Sequence, residues 1–190
     1  MLVDEAGLFL NPVVRRSWSP VGRTPVVPGD GGHRRKVSVI GAMTVSPAAR
    51  RLGFYFATRP DGYFDAGAVA AFLRDLLEHL PGRVVVIWDN GGNHGGPVVR
   101  EFLRRTRRVT LVRLPPYSPR LDPVEAVWGW LEWGRLANYA PDTLAELDEW
   151  PAECLVELRC NPGLLRALWD RSERPFPTGR ASQPGLPASQ

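Results

Sequence analysis

One run of five apolar residues limits the fold of this chain more than any other feature. The run covers residues 84–88 (VVVIW) and lies between Pro81-Gly82 and the turn-forming sequence DNGG at 89–92. A strand that is apolar at every position is typical of the middle of an α/β sheet, where helices cover both faces. We therefore predict a layered α/β fold with this strand buried on both faces.

Three strands are predicted upstream of this run. Residues 2–10 are expected to form a strand with a kink or turn near Gly7. Residues 11–34, rich in Pro, Gly and Arg, are expected to form an ordered loop or a long hairpin connection. Residues 35–44 and 51–58 are apolar and β-branched or aromatic, which predicts a hairpin.

The sequence changes to the period of a helix at Asp65. Apolar residues then recur at intervals of three and four, which predicts an amphipathic helix with Asp65 as its N-cap and Pro81-Gly82 as its stop. The later elements are predicted as a helix over 97–107, a strand over 109–114, and helices over 123–136, 143–160 and 163–170. The order β-β-β-α-β-α-β-α is that of a ribonuclease H-like α/β/α fold around a mixed five-stranded sheet.

Length and composition indicate the class of protein. A chain of 190 residues, 44% hydrophobic and 23% charged, fits one domain, predicted over 1–170, and a Pro-, Gly- and Ser-rich tail over 171–190 that we expect to be disordered. No apolar stretch approaches about 18 residues and no basic-then-apolar leader precedes Asp4, so we expect a cytoplasmic protein. Cys154 and Cys160 have neither a zinc-ligand nor a disulfide spacing.

The charge balance is only weakly informative. A net charge of +4 leans toward a polyanionic partner, but this excess of base is mild. Of the 24 basic residues only Lys36 is lysine, and arginine suits phosphate recognition through its planar fork. A GC-rich coding sequence explains the same bias equally well, so the ratio carries no functional weight.

Three acidic residues stand where the predicted fold can bring them together. Asp4 lies in the first strand, Asp89 follows the buried strand, and Glu125 lies in the first turn of a predicted helix. Polar residues at strand ends of an open α/β sheet are where ligands usually bind. Mg²⁺ prefers oxygen ligands, and a few carboxylates with a substrate phosphate complete its site. The pattern favours a two-metal centre for displacement at phosphorus.

Each acidic residue also has a purely structural interpretation. Asp4 can be a charge at a strand edge. Asp89 begins a good turn sequence, because Asp and Asn tolerate turn geometry and Gly allows positive φ. The sequence DPVE at 122–125 has the pattern of a capping box, with Asp122 as N-cap and Glu125 at the third helical position. A first-turn carboxylate can cap a helix and still point toward a metal, so both interpretations of Glu125 stay open.

Three motifs follow one another along the chain. They are DEAG at 4–7 followed by RSWSPVGRTP at 16–25, WDNGGNH at 88–94, and LPPYSPRLDPVEAVW at 114–128. In their order and spacing, over roughly residues 1–170, they resemble the mariner-type DDE transposases of bacterial insertion sequences. The third motif is the most diagnostic, because its combination of Pro, Tyr, Glu and Trp is rarely met by chance.

The resemblance implies a DDE superfamily endonuclease domain whose catalytic and metal-binding carboxylates are Asp4, Asp89 and Glu125. It also implies Mg²⁺ or Mn²⁺ as the cofactor, with two ions. The implied reaction cleaves a transposon end to leave a 3′-OH, which then attacks target DNA in a strand transfer. No nucleophilic Ser or Cys is expected to form a covalent intermediate.

Further positions follow from the same resemblance. His94 occupies the histidine that the family places near the site, although a polar residue at a helix start is an equal explanation. Asp122 stands where the family usually has Asn. Glu132 lies seven residues after Glu125 on the same helical face and is the fallback for the third carboxylate.

The predicted DNA-binding surface is less sharply defined. Basic doublets and the arginines of the 97–107 helix are candidates to contact phosphates, although such residues are usually only solvated surface. Trp18 is a candidate for base contact, whereas Trp128, Trp130 and Trp133 are expected to be core and helix-packing residues. The candidate DNA-binding residues are Trp18, Arg23, Arg35, Lys36, His94, Arg100, Arg104 and Tyr117.

The resemblance also implies partners. Double-stranded DNA, both transposon ends and target, would be bound by a homo-oligomer. Full-length family members carry an N-terminal helix-turn-helix region, and the residues before Asp4 leave no room for one. We therefore expect either a separately encoded helix-turn-helix partner or a truncated remnant that at most binds DNA. Another ribonuclease H-like nuclease, such as a junction resolvase or an RNA-cutting enzyme, is the remaining alternative, and the PPYSP segment at 115–119 argues against it.

Overall fold

The fold is a sheet with helices packed against its faces. The computed structural model describes residues 1–28, 35–46, 48, 50–89, 91, 96–116 and 118–174. The strands are β1 Leu2–Phe9, β2 Lys36–Ser46, β3 Arg51–Pro60, β4 Val84–Trp88 and β5 Val109–Arg113. The helices are α1 Ala66–His79, α2 Pro97–Arg105, α3 Pro123–Trp130, α4 Leu144–Arg159 and α5 Pro162–Trp169. The predicted order of elements is confirmed, and most of the predicted tail lies outside the described residues.

The sheet has the strand order β3-β2-β1-β4-β5. Neighbours are antiparallel from β3 to β1, whereas β1 pairs with β4 and β4 with β5 in parallel. The predicted mixed five-stranded sheet is therefore confirmed. The predicted kink near Gly7 is wrong, because the ladder between β1 and β2 runs without a break from Leu2↔Met43 to Phe9↔Lys36.

Apolar residues on the two faces of the sheet belong to two separate clusters. On β1, Leu2 and Leu8 pack with side chains of α3, α4 and α5, whereas Val3 packs with those of α1 and α2. Successive residues of a strand point to opposite faces, so this division follows from the alternation along β1. Asp4 is two residues after Leu2, so the same alternation assigns it to the face covered by α3.

The prediction that residues 84–88 are buried on both faces is wrong for one face. Val86 and Trp88 are buried against α1 and α2. On the other face Val85 keeps 47% of its surface exposed, and Val112 on β5 keeps 45%. The helices of that layer pack on β1, β2 and β3, so among the described residues they leave Val85 and Val112 partly uncovered.

Local sequence signals account for where the helices begin. The carboxylate of Asp65 accepts a hydrogen bond of 2.8 Å from the backbone N–H of Ala68, which confirms Asp65 as the N-cap of α1. The hydroxyl of Thr143 caps α4 in the same way, by accepting a hydrogen bond from the backbone N–H of Glu146.

The two cysteines are free thiols. Cys154 is buried on α4, and Cys160 is exposed.

No helix in the part of the chain that the structure describes is both long and apolar enough to cross a membrane.

A π-helical turn, Leu131–Arg135, extends α3 and changes which side chains it buries. The backbone N–H of Leu136 donates to the carbonyl of Leu131 at 2.8 Å, and these two leucines, five residues apart, are both buried. Trp133 lies between them in sequence and is 53% exposed. Its predicted place in the core is therefore wrong, because a wide turn buries every fifth residue rather than every third or fourth. Trp128 is buried as predicted.

Candidate active site

The parallel pairing of β1 with β4 places Asp4 and Asp89 in one row. Leu2 on β1 is the partner of Ile87 on β4. The two strands run in the same direction, so the residues two positions further on, Asp4 and Asp89, also lie side by side. Adjacent strands are about 4.8 Å apart, and residues two apart share a face. The strand order and this one register therefore bring together two acidic residues that are far apart in sequence.

The start of α3 brings Glu125 to the same region. The carboxylate of Asp122 accepts a 2.9 Å hydrogen bond from the backbone N–H of Val124, and Pro123 fills the first helical position. The backbone N–H of Asp122 donates to the carbonyl of Pro119 at 3.0 Å, so it does not need the carboxylate of Glu125 as a capping partner. Asp122 is confirmed as the N-cap of α3, but through the second helical N–H rather than in a capping box, and Glu125 is exposed at the helix start.

An acidic groove runs between β1 and the helix that begins at Pro123. Its volume is about 390 Å³. Asp4, Glu125 and Glu132 line it. The other lining residues are Glu5, Ala6, Gly7, Trp128, Gly129 and Trp133. The structure thus brings Asp4, Glu125 and the fallback carboxylate Glu132 to one groove, while Asp89 lies beside it at the end of β4.

Trp128 is a site residue that the sequence analysis assigned only to the core. Its indole Nε1–H donates a 2.9 Å hydrogen bond to Oδ2 of Asp4. The indole ring lies over Gly41 of β2, where a β-carbon would come within 2.8 Å of Trp128 Cη2. Gly41 is also the cross-strand partner of Asp4. The available signal was the glycine inside an apolar strand, which often marks a close approach.

Burial, and after it the charges of neighbouring carboxylates, raises the pKa of three carboxyl groups that line the groove. Burial, followed by the charges of Asp122 and Glu125, raises the pKa of Asp4 to about 7 against the opposing hydrogen bond from Trp128. Partial desolvation and then the charge of Asp89 raise the pKa of Glu125. Desolvation and then Glu125 raise the pKa of Glu132. A cluster of this kind holds negative charge at a cost that a bound cation offsets.

The donor set fits a hard divalent cation, but the side chains are not in a ligating arrangement. Among the described residues, no three His, Cys, Asp or Glu side chains already stand close enough together to hold one ion. One oxygen of Asp4 is held by Trp128, and Oδ1 of Asp89 accepts a 2.8 Å hydrogen bond from the backbone N–H of Gly91. Each carboxylate has a second oxygen, and Mg²⁺ completes its shell with water and substrate.

Asp122 is a buried acidic residue beside this cluster, and its titration makes the stability of the protein depend on pH. It keeps only 6% of its surface exposed. Desolvation raises its pKa from 3.8 to about 7, with the charges of Glu125 and Asp89 adding to the effect and Val124 N–H and Arg174 opposing it. The folded state thus retains this proton at pH values where the unfolded chain has lost it. Stability of the metal-free protein therefore falls as pH rises from about 4 through about 7.

We predict that Asp122→Asn stabilises the metal-free protein at pH 8. The amide oxygen of Asn still accepts the bond from Val124, while the charge that must otherwise be buried is gone. The gain in the free energy of unfolding should be on the order of 2 kcal/mol at pH 8 and close to zero at pH 4. Urea denaturation in EDTA measures it, with Asp142→Asn, an exposed position, as the control. Parallel stability curves for wild type and Asp122→Asn between pH 4 and 8 would show that the charge is not the cause.

The described residues that follow β1 contact the domain at one edge of the groove. The backbone N–H of Arg15 donates to Oδ1 of Asn138 at 2.8 Å, and its guanidinium donates to the carbonyl of Trp133 at 2.5 Å. Beyond this anchor Trp18 is fully exposed and Arg23 is exposed. These two candidate DNA-binding residues therefore lie in an exposed segment that follows the contact between Arg15 and Trp133, a residue that lines the groove.

The remaining DNA-binding candidates lie elsewhere. Arg35 is 3.8 Å from the carboxylate of Asp61, and Lys36 is partly buried at the start of β2. Arg100 and Arg104 are exposed on α2, in the layer opposite to α3, where Glu101 pairs with Arg104 at 2.8 Å. His94 and Tyr117 lie outside the described residues. The structure does not gather these basic residues into one patch around the groove.

The mixed five-stranded sheet with helices on its two faces is a ribonuclease H-like fold. The chain belongs to the DDE superfamily endonuclease family, whose model matches residues 1–148. No curated protein matches the chain significantly.

Solved structures of the Mos1 transposase have the same fold. The paired-end complex with the left transposon end superimposes with a TM-score of 0.64 at 20% identity, over 93% of this chain and 51% of that chain. The strand transfer complex gives 0.61 at 21% identity, over 90% and 52%. The catalytic domain of the Mos1 mariner transposase gives 0.58 at 18% identity, over 90% and 78%. This chain thus spans about half the length of the Mos1 chain in those complexes, and the likeness establishes the fold.

Proposed function

We propose that the chain is the catalytic domain of a transposase and performs metal-dependent cleavage and strand transfer of DNA. The observation that carries the proposal is the convergence of three acidic residues distant in sequence. Asp4 and Glu125 line one groove, and Asp89 follows the strand beside Asp4 and raises the pKa of Glu125. These are the carboxylates that the DDE motifs of the sequence single out, in a chain whose family is that of DDE superfamily endonucleases.

In this proposal Asp4, Asp89 and Glu125 hold Mg²⁺ or Mn²⁺, with two ions. Bound divalent cations activate the attacking oxygen and stabilise the leaving oxygen in displacement at phosphorus. The chain supplies oxygen ligands fixed on two neighbouring strands and on the first turn of a helix, so the scissile phosphate is positioned by rigid elements. Two of the Mos1 paired-end complexes are described as containing Mn and Mg, which supports divalent ions for this chain as well.

Double-stranded DNA is the proposed substrate. The Mos1 complexes are named as paired-end complexes with a transposon end and as a strand transfer complex. In this chain the exposed loop that carries Trp18 and Arg23 starts at the edge of the groove, where it can contact DNA whose scissile phosphate lies at the carboxylates. A bacterial insertion sequence as the source, a homo-oligomer on DNA, and a helix-turn-helix partner that recognises the ends belong to the same proposal.

Cleavage of defined substrates tests the proposal. The purified chain is incubated with duplex DNA carrying the ends of its element, with unrelated duplex DNA, and with an RNA–DNA hybrid. We expect nicks with 3′-OH ends that need Mg²⁺ or Mn²⁺, disappear in EDTA, and increase when a helix-turn-helix partner that binds the ends is added. Preferred cutting of the hybrid would identify a different ribonuclease H-like nuclease. Absence of cutting with either metal and with the partner present would contradict the proposal.

A further inference from the structure

A single hydrogen bond links a buried aromatic residue to one of the proposed metal ligands. Nε1 of Trp128 lies 2.9 Å from Oδ2 of Asp4, and the two residues are 124 positions apart in sequence. The indole N–H is a donor only, so it can bond to a carboxylate and never competes with it for a cation. Trp128 keeps 5% of its surface exposed, so the ring that carries this donor is held by packing.

The position of Trp128 on α3 relates it directly to the groove. It lies three residues after Glu125, and residues at this spacing share a helical face. The same face therefore carries one proposed ligand, Glu125, and the donor to another, Asp4. Any movement of α3 relative to β1 therefore changes both the position of Glu125 and the hydrogen bond from Trp128 to Asp4.

The indole reaches Asp4 because residue 41 has no side chain. A β-carbon at Gly41 would lie 2.8 Å from Cη2 and 3.0 Å from Cζ2 of Trp128, closer than side chains tolerate. It would also lie 3.2 Å from Cζ of Phe54, which limits movement in that direction. Gly41 is the partner of Asp4 across β1 and β2, so the ring that packs on this glycine lies next to the Asp4 carboxylate.

We propose that Trp128, seated on Gly41, is a positioning residue that orients the Asp4 carboxylate for metal binding. The hydrogen bond fixes Oδ2 and so sets the orientation in which the Asp4 carboxylate lines the groove. Hydrogen bonds to metal-ligating side chains reduce their freedom before the metal arrives, and their loss typically weakens metal affinity about 10–100-fold. This inference rests on the proposed function, because it takes Asp4 to be a metal ligand.

The first test measures Mn²⁺ affinity of the full chain by electron paramagnetic resonance of free Mn²⁺. We expect Trp128→Phe, which keeps an aromatic ring but has no N–H, to bind Mn²⁺ about 10–100-fold more weakly than wild type. Trp130→Phe is the matched control, because Trp130 is a partly buried residue of the same helix that packs against Arg135. Thermal unfolding without metal checks that each variant is folded. Equal Mn²⁺ affinity of folded Trp128→Phe and wild type overturns the inference.

A double-mutant cycle separates positioning from general packing. Gly41→Ala keeps the indole N–H but displaces the ring, so alone it should also weaken Mn²⁺ binding. The phenyl ring of Trp128→Phe lacks the two ring atoms that the new methyl group would meet, so adding Gly41→Ala to that variant should cost little more. We expect losses that are clearly less than additive. Additive losses overturn the inference, and wild-type affinity in Gly41→Ala overturns it even where Trp128→Phe does not fold.

A spectroscopic readout distinguishes this inference from the proposed function. The indole ¹H–¹⁵N resonance that is missing in Trp128→Phe identifies Trp128, and it should shift when Mg²⁺ is added to the wild-type chain. Asp4→Asn should bind Mn²⁺ more weakly than wild type and abolish the shift. If Asp4→Asn leaves Mn²⁺ affinity unchanged, the metal site itself is refuted. If it weakens Mn²⁺ binding but the Trp128 resonance of the wild-type chain does not shift when Mg²⁺ is added, only the positioning role is refuted.

Discussion

Asp89→Asn should abolish metal-dependent DNA cleavage while leaving the fold intact. The substitution replaces a carboxylate oxygen by an amide nitrogen at the end of β4, beside the groove. A bound divalent ion contributes several kcal/mol of charge stabilisation in the transition state, so loss of a ligand should lower the cleavage rate by about 10³-fold or more. Single-turnover nicking of end-containing DNA in Mg²⁺ measures the effect.

The Asp89→Asn substitution should preserve the local hydrogen bond of the turn after β4. Oδ1 of Asp89 accepts a hydrogen bond from the N–H of Gly91, and the amide oxygen of Asn can accept the same bond. Thermal stability and non-specific DNA binding, followed by fluorescence anisotropy, should therefore stay close to wild type. Asp75→Asn, an exposed aspartate on α1 in the opposite layer, is the control and should cut normally. Full Mg²⁺-dependent nicking by Asp89→Asn would rule out its assignment as a metal ligand.

Glu125→Gln should be almost as damaging, whereas Glu132→Gln should retain most of the activity. Both glutamates line the groove, and desolvation is the main cause that raises the pKa of each. The second cause is the charge of Asp89 for Glu125 and the charge of Glu125 for Glu132. Glu125 is thus the glutamate that interacts with both of the other proposed ligands, Asp89 and Asp4. We expect a loss of about 10³-fold for Glu125→Gln and less than about tenfold for Glu132→Gln.

Measuring the two variants side by side decides which is the third carboxylate. Each changes one charge in the same groove, so a general electrostatic effect on DNA binding would appear equally in both. Mn²⁺ affinity and nicking rate should fall together for Glu125→Gln. If Glu132→Gln is the inactive variant and Glu125→Gln cuts DNA, Glu132 takes the place of Glu125 in the proposed site.

Local structure could be predicted from the sequence because its causes are local. The N-caps Asp65 and Asp122 hydrogen-bond to N–H groups within three residues of themselves, and the helix period of α1 is visible in its apolar residues. The alternation of β1 is equally local, but the predicted kink at Gly7 was wrong because pairing with β2 keeps the strand regular. An interior glycine permits a kink and does not require one.

Burial was predicted less well, because it depends on which elements pack together. The run at 84–88 is apolar throughout, yet Val85 is exposed, since α3, α4 and α5 cover the other half of the sheet. Trp133 is exposed because a π-helical turn shifts the buried positions to Leu131 and Leu136. Which strands the helices pack on, and where a π-helical turn occurs, cannot be recognised from a short stretch of sequence.

The amino-acid sequence by itself determined the order of strands and helices, the starts of the capped helices, and the identity of the three acidic residues in the DDE motifs. Only the tertiary structure decided how these residues meet. Three contacts join segments that are far apart in the chain. They are the pairing of Leu2 with Ile87, the hydrogen bond from Trp128 to Asp4, and the close packing of the Trp128 ring on Gly41. Contacts of this kind depend on strand register and on helix packing, and these follow from the balance of interactions over the whole molecule rather than from any one segment.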